Sequence, residues 1–375
     1  MLFNNKYSGI DFRDNKVTFA TVKLDKQAPI LEDIYETPLK ENVVNNGVVM
    51  EKGLLSTALR TYFQSGKVNS KQAHLAIPTQ NTLIRKITTL PDLEEKELAK
   101  LLQFQIGETI HLPFEDPIYD FVKIGSILPK GEQSANEDDD FTLEDLTNKV
   151  EKEMQGPKSE ILFFATSRPI SQSLMETCEK AGFKPQTAEI RGLSLQRLLM
   201  YLHPSWLKGT EMIMDVTEET VDIHIFKNDL IVFSRTMAIE SNDYIQTPTP
   251  EAEVLSFSDD ALIQTEVAAT VEPVAWDIDQ YVSAVISEFQ KAQNFFRYSL
   301  GERDSEFSRI ILTGDYASKI ASSLSSRLQM DISSIDYSSI LSHDNMTQQQ
   351  LDSCSVAIGL ALRTNDKPDK NRKLK

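Results

Sequence analysis

Apolar residues in the first eighty positions cluster at strand-like and helix-like spacings. Tyr7–Phe12 and Val17–Leu24 read as strands separated by the polar turn Arg13–Lys16, and Ile30–Glu36 reads as a third. A helix is predicted over Lys52–Gln64, with Leu54, Leu55, Ala58, Leu59 and Tyr62 on one side. The apolar run Ala73–Ile77 is a further strand, ended by Pro78.

The pattern then changes. Thr82–Leu90 alternates as a strand, and Pro91–Asp92 is predicted to open a helix that runs to about Ile110. Asp92 would be its N-cap with Glu95 three residues on, and Leu98, Leu101, Leu102 and Ile106 its apolar stripe. Ile118–Ile124 and Ile161–Thr166 follow as strands. A helix over Pro169–Ala181 stops at Gly182, and a strand–helix pair lies near Thr187–Ile190 and Gly192–Leu202.

A second start comes at Glu211. Met212–Val216, Val221–Phe226 and Leu230–Arg235 read as three strands, with hairpin chemistry at Asn228–Asp229. Helices are expected over Asp279–Leu300, Tyr316–Leu328 and Gln348–Leu362, with a strand at Arg309–Leu312. Each half thus begins strand–turn–strand–strand, and each first strand carries an aspartate before its turn, Asp11 and Asp215. This order predicts two α/β halves whose sheets are covered by helices.

Charge refines the division. The 375 residues hold 39 Lys and Arg against 56 Asp and Glu, a net charge of −17. Gly131–Gly156 contributes −7 and Glu240–Asp279 contributes −10, so the remainder balances. Both segments lack regular apolar periodicity and read as insertions on a neutral body, solvated or available to a basic partner. Arg363–Lys375 is net +4, the composition of a frayed end or of a contact with an anionic membrane face. The overall acidity argues against a general nucleic-acid binder. Two cysteines, Cys178 and Cys354, exclude a disulfide scaffold and a multi-cysteine zinc site and fit a reducing cytoplasm. No signal peptide and no membrane-length apolar run is visible.

Several local motifs fall away. Gly66-Lys67 lacks the earlier glycine and the hydroxyl of a phosphate loop, and Gly192-Leu193-Ser194 lacks the second glycine of a nucleophile elbow. His74, His111, His203, His224 and His343 have no ligand spacing, so no metal site is expected.

What remains is an ordered series. It comprises Leu75-Ala76-Ile77-Pro78, Ile84-Arg85-Lys86-Ile87, Leu90-Pro91, Glu97-Leu98, Ile110-His111-Leu112-Pro113-Phe114 and Tyr119-Asp120-Phe121. Ala181-Gly182-Phe183-Lys184-Pro185 and Ala357-Ile358-Gly359-Leu360-Ala361 come later. With the two aspartate hairpins, this series resembles the PilM family of type IV pilus assembly, close to the cytoplasmic part of the type II secretion protein GspL. The resemblance implies a two-lobed actin/Hsp70/FtsA-like α/β fold with an inserted small 1C-type subdomain. On it, residues 1–78 and 167–209 form the first lobe, and 79–166 the insertion, including acidic loop 131–156. Residues 210–362 form the second lobe, with acidic segment 240–279, and 363–375 a basic tail.

In such folds two hairpin turns and a glycine-rich turn bracket a nucleotide, because small residues let backbone N–H groups approach the phosphates. The first turn here keeps Asp11 but has Arg13, Asp14, Asn15 and Lys16 in place of glycine and hydroxyls. Lys16 and Arg13 could meet a phosphate, which Asp14 would repel. The second turn carries Asp215, Glu218, Glu219 and Thr220; two like charges about 4 Å apart in a partly dry cleft cost on the order of several kcal/mol. The third retains Gly314, followed by Asp315 and Tyr316. Three altered turns predict a degenerate site without ATP hydrolysis or a cofactor, Asp11 and Asp215 persisting as hairpin caps.

The resemblance therefore implies a non-catalytic cytoplasmic scaffold, peripheral at the inner membrane, in a pilus or type II secretion platform. Its partner would be the cytoplasmic N-terminal segment of a PilN-like membrane protein. The docking groove would lie between insertion and first lobe, with Arg85, Ile87, Phe104, Ile110 and Pro113 as candidates, although Ile87, Phe104 and Ile110 also suit an ordinary core. Contact with the assembly ATPase and homo-oligomerisation are further expectations. The alternative is an ATP/Mg-binding switch using Asp11, Asn15, Lys16, Asp215 and Thr220. A filament former in cell division ranks last, since no terminal amphipathic membrane helix is seen.

Overall fold

In the computed structural model, described over residues 6–24, 28–64, 70–127, 156–246, 275–341 and 345–363, the chain opens with an antiparallel meander. Strands β1 (Lys6–Phe12), β2 (Lys16–Leu24) and β3 (Pro29–Pro38) lead to α1 (Lys52–Gln64) and β4 (Gln72–Ile77). The insertion follows as β5 (Thr82–Ile87), α2 (Glu95–Gln105), β6 (Pro117–Ile127) and β7 (Lys158–Ser167). The chain returns through α3 (Arg168–Ala181), β8 (Lys184–Ile190) and α4 (Arg191–Leu202).

The second half repeats the plan. Strands β9 (Thr210–Val216), β10 (Thr220–Lys227) and β11 (Leu230–Ala238) form its meander. Helix α5 (Ile278–Asn294), strand β12 (Arg309–Thr313), helix α6 (Ala317–Arg327) and strand β13 (Asp331–Ser334) follow. The last elements are α7 (Gln348–Ser353) and α8 (Ser355–Ala361).

The first sheet runs β8-β4-β1-β2-β3 and the second β13-β12-β9-β10-β11. Written by order of appearance within each half, both read five-four-one-two-three. In each, the meander is antiparallel and the two later strands join parallel to the first.

Apolar faces explain the stacking. Ile10, Phe12, Val17 and Phe19 pack against Leu55 and Leu59 of α1 and Leu174 and Cys178 of α3. Met212, Met214, Val221 and Ile223 pack against Val282 and Val285 of α5 and Ile320 and Leu324 of α6. Between the sheets, Ala20, Val22, Ile213 and Phe226 enclose α4 and α8 through Leu195, Leu198, Val356 and Leu360. The layers are therefore helices, sheet, helices, sheet, helices, with one core shared by both lobes. Strands β5, β7 and β6 form a separate three-stranded sheet beside them, with its own core under α2. No described helix is long and apolar enough to cross a membrane.

Three predicted details change. Helix α2 begins at Glu95, and its N-cap Glu94 makes no side-chain capping bond. Asp92 instead binds Lys123 Nζ at 2.6 Å and accepts from Ser159 Oγ at 3.3 Å, so an ion pair to the neighbouring strand replaces the cap. The helix ends at Gln105, before a turn in which Gly107 has φ +91°. The final helix is two, broken at Cys354, where the chain leaves the second lobe's side. Asn228 and Asp229, at φ 51° and 62°, form the left-handed hairpin turn that the sequence signals. Apart from their ends, both acidic segments lie outside the described residues, as do residues 364–375 of the basic tail; Arg363 itself pairs with Glu189.

Candidate functional site

The two aspartate hairpins face each other where the lobes meet. Asp11 ends β1 opposite Thr18, and Asp215 ends β9 opposite Asp222. All three carboxylates are buried, and two arginines hold them. Arg13 donates from Nε to Asp11 Oδ2 at 2.7 Å and from Nη2 to Asp215 Oδ2 at 2.5 Å. It thus crosses from one lobe to the other in the position the resemblance gives to phosphates. Arg191, the first residue of α4, donates to Asp11 Oδ1 at 2.8 Å, to Asp222 Oδ2 at 3.0 Å and to the Phe12 carbonyl. Thr79 and Thr236 complete the Asp222 shell at 2.7 and 2.6 Å.

The electrostatics follow from these partners. Burial disfavours charge on Arg13, but Asp11, Asp215 and Asp222 outweigh it and keep the guanidinium cationic. Burial also pushes up the Asp222 carboxyl, yet Arg191 and Arg13 outweigh it and hold the group at about 2. Asp215 moves the other way: its burial is only partly offset by Arg13, its single cationic partner, and its pKa is raised. Two cations against three carboxylates leave the cluster without a spare positive charge.

The outer part of the cleft is closed the same way. Lys16 Nζ pairs with Asp315 of the second lobe, donates to Ser353 Oγ at 2.7 Å and lies 3.5 Å from Glu36. Asn15 Nδ2 donates to Glu218 at 2.9 Å, again between lobes. Asp14 turns aside and accepts from the backbone N–H groups of Asn46 and Gly47 at 2.6 and 2.9 Å. Glu219 is pushed up to about 7 by burial and by Asp14, Glu218 and Glu240. The anticipated pair of charged glutamates is thereby relieved, since Glu218 has a donor and Glu219 is partly protonated near neutrality. Thr220 is tied within its own turn, its N–H reaching Thr217 Oγ1 at 3.2 Å. Each cation named here already carries a carboxylate of this chain.

Gly314 has a structural reason of its own. Its φ is +93°, and a Cβ would stand 2.4 Å from the Val216 carbonyl and 2.6 Å from Asp215 Oδ1. The glycine lets the third turn close onto the second hairpin. Its N–H donates to the Asp352 carbonyl at 3.1 Å. Asp11 and Asp215 are therefore not caps of their hairpins; they anchor the two arginines. Sequence reasoning missed Arg191 and Asp222. The polar Asp222 and His224, alternating with Val221, Ile223 and Ile225 in a buried strand, were the available signal.

The candidate partner residues divide. Ile87 and Ile110, each 6% exposed, sit in the insertion's core with Leu98, Leu102 and Phe121 and do not line an open groove. Phe104 is 76% exposed, and Arg85 and Pro113 are also at the surface. Burial rather than ligation explains two histidines: His74 meets Thr187 at 2.8 Å and His224 meets Ser234 at 2.7 Å. Among the described residues no group of three or more His, Cys, Asp or Glu could hold a metal ion.

The comparisons agree with this architecture. No curated protein sequence matches the chain. A solved structure described as a PilM–PilN type IV pilus biogenesis complex is similar at a TM-score of 0.66 and 17% identity, over 95% of this chain and 98% of that one. The ethanolamine utilization protein EutJ from Carboxydothermus hydrogenoformans aligns at 0.45 and 10% identity, over 95% and 89%. The cytoplasmic domain of EpsL, an inner-membrane component of the Vibrio cholerae type II secretion system, aligns at 0.37 and 8%, over 62% and 71%. The first of these shares the fold, and the family model for type IV pilus assembly protein PilM matches residues 9–365, nearly the whole body. With its duplicated sheets and inserted subdomain, the chain belongs to the PilM family.

Proposed function

We propose that this protein is a non-catalytic scaffold of a type IV pilus inner-membrane platform. It would act on the cytoplasmic side, held at the membrane through a partner's cytoplasmic segment. The observation that carries the non-catalytic part is Arg13, fixed between Asp11 and Asp215 where a nucleotide phosphate would lie. A side chain bonded to both lobes there supports this reading, because its charge is already shared between two carboxylates and is not held open for a transferring phosphoryl group.

The partner proposal rests on family membership and on the similar structure described as a PilM–PilN complex. A PilN-like N-terminal segment would dock on the insertion, with Arg85, Phe104 and Pro113 as the exposed candidates. Contacts with an assembly ATPase or a second copy belong to the same proposal. Calorimetric titration of a peptide spanning that segment tests it. Phe104→Ala and Arg85→Ala should each weaken binding about tenfold, which is roughly 1.4 kcal/mol. Unchanged affinity in both would remove these residues from the interface.

A further inference from the structure

The end of the first sheet that lies away from the interlobe charges gathers lysines. Strands β1, β4 and β8 run parallel and begin there, and β2 ends there. The register sets Lys184 beside Gln72 and Lys6 beside Lys23. Lys71 precedes Gln72, and its carbonyl accepts from the Lys184 N–H at 2.7 Å. Four neighbouring strands thus bring Lys184, Lys71, Lys6 and Lys23 to one level, about 5 Å from strand to strand. Helices α1 and α3 end over the same edge. Arg60 donates to the Lys180 carbonyl at 2.9 Å, and Lys71 Nζ lies 5.6 Å from the centre of the Phe63 ring. Lys23, Arg60, Lys71, Lys180 and Lys184 are all exposed, and none of the five has an ion-pair partner among the described residues. Nearby carboxylates are engaged elsewhere: Glu32 binds Lys6 at 2.7 Å, Glu176 binds Lys52 at 3.0 Å, and Asp33 stands further along β3, opposite Thr21. Set against Glu179, next to Lys180, the five cations leave +4 on a chain whose net charge is −17.

We propose that this end of the first lobe rests on an anionic phospholipid surface. The proposal deepens the scaffold reading and rests on its placement of the protein at a membrane face. Like charges gathered in one place repel, and an anionic surface removes that cost. Four of the five cations are lysines, point charges on flexible stems. They suit a diffuse layer of headgroups better than the fork-shaped recognition of a single phosphate or carboxylate. They stand at the ends of β2, β4, β8 and α3, with Arg60 in the last turns of α1, and so form a broad end face and not a groove. The acidity of the whole chain does not prevent the contact, because charges more than about 8 Å away are largely screened at physiological salt. Strand β4 leads from this face toward the insertion. A partner segment docked on the insertion and lipid under this face would hold the first lobe at two points.

The test uses the full chain and lipid vesicles, with no partner peptide and no nucleotide. Vesicles of about one-third phosphatidylglycerol, at millimolar lipid, should co-sediment the protein, and vesicles of phosphatidylcholine alone should not. Salt at about 0.5 M should release it. Lys71→Gln combined with Lys184→Gln should weaken binding about 25-fold, roughly fivefold for each charge. Lys96→Gln combined with Lys100→Gln makes the same charge change on α2 and should leave binding within about twofold of wild type. All four positions are exposed, and equal thermal midpoints check that both variants are folded. Absence of binding to the anionic vesicles, equal binding by the two double variants, or capture of polyglutamate in place of vesicles would overturn the proposal. Any of these results would leave the peptide titration on the insertion as it stands, so the two readings fall separately.

Discussion

Asp215 and Asp222 stand directly opposite each other in the antiparallel pair of β9 and β10, both buried, and each is bound by an arginine from the first lobe. Like charges opposed across a ladder are destabilising, and burial adds to the cost. The hairpin therefore depends on Arg13 and Arg191. Arg13→Ala should lower unfolding free energy by about 3–5 kcal/mol, because it strands buried Asp215 without its cation and leaves Asp11 with Arg191 alone. Urea denaturation measures this. A double-mutant cycle with Asp215→Asn should give a coupling of at least about 1 kcal/mol; additive losses would show that the contact is not energetically coupled.

Nucleotide binding gives a second check. With Lys16 on Asp315 and Arg13 on two aspartates, MgATP at submillimolar concentration should give no calorimetric signal. Measurable binding that disappears in Lys16→Ala would establish a working nucleotide site instead.

Gly314→Ala tests the turn geometry. The added methyl meets backbone and a carboxylate under 3 Å, at a φ that L residues rarely adopt. A loss of about 2 kcal/mol or more is expected, read as a fall in thermal midpoint. Alanine at Gly53, which has open space around it in α1, should be neutral or slightly stabilising.

Acid should weaken the fold through two buried histidines. His224 is fully buried, and burial lowers its pKa from 6.5 to about 4; His74 is lowered to about 4 by the same cause. A base with a depressed folded pKa contributes stability that is complete above pH 6.5 and lost as pH falls toward 4. For His224 the loss is roughly 3 kcal/mol. Asp352 works in the opposite sense. Burial raises it to about 7, so its contribution is complete below about 4 and fades as pH rises through 7. Stability against pH should therefore peak between these limits. His224→Gln should flatten the acid side, and an unchanged slope would assign that side to other groups.

The strands and helices were legible because their apolar spacing is local, as in α1 or in β9 and β10. The repeated aspartate hairpins pointed to two related lobes. What could not be read was the pairing over distance. Arg191 looks like an ordinary first residue of a helix, and Arg13 like a turn cation facing solvent. Only the approach of the lobes brings them to Asp222 and Asp215. The insertion shows the converse. Ile87 and Ile110 match family positions, but the small sheet needs them for its own core.

The break at Cys354 has a consequence for the order in which the protein is made. Helix α8 lies against β1 so closely that a Cβ on Gly9 would meet the Ala357 carbonyl at 1.9 Å. The strand Lys6–Phe12 is thus completed by the helix Ser355–Ala361, which is synthesised long after it. Until residue 361 has emerged, the inner face of the N-terminal sheet lacks its cover, and the shared core between the sheets cannot close. Folding of this chain should be slow to commit and vulnerable to stalled synthesis, with the early half a natural client for chaperones.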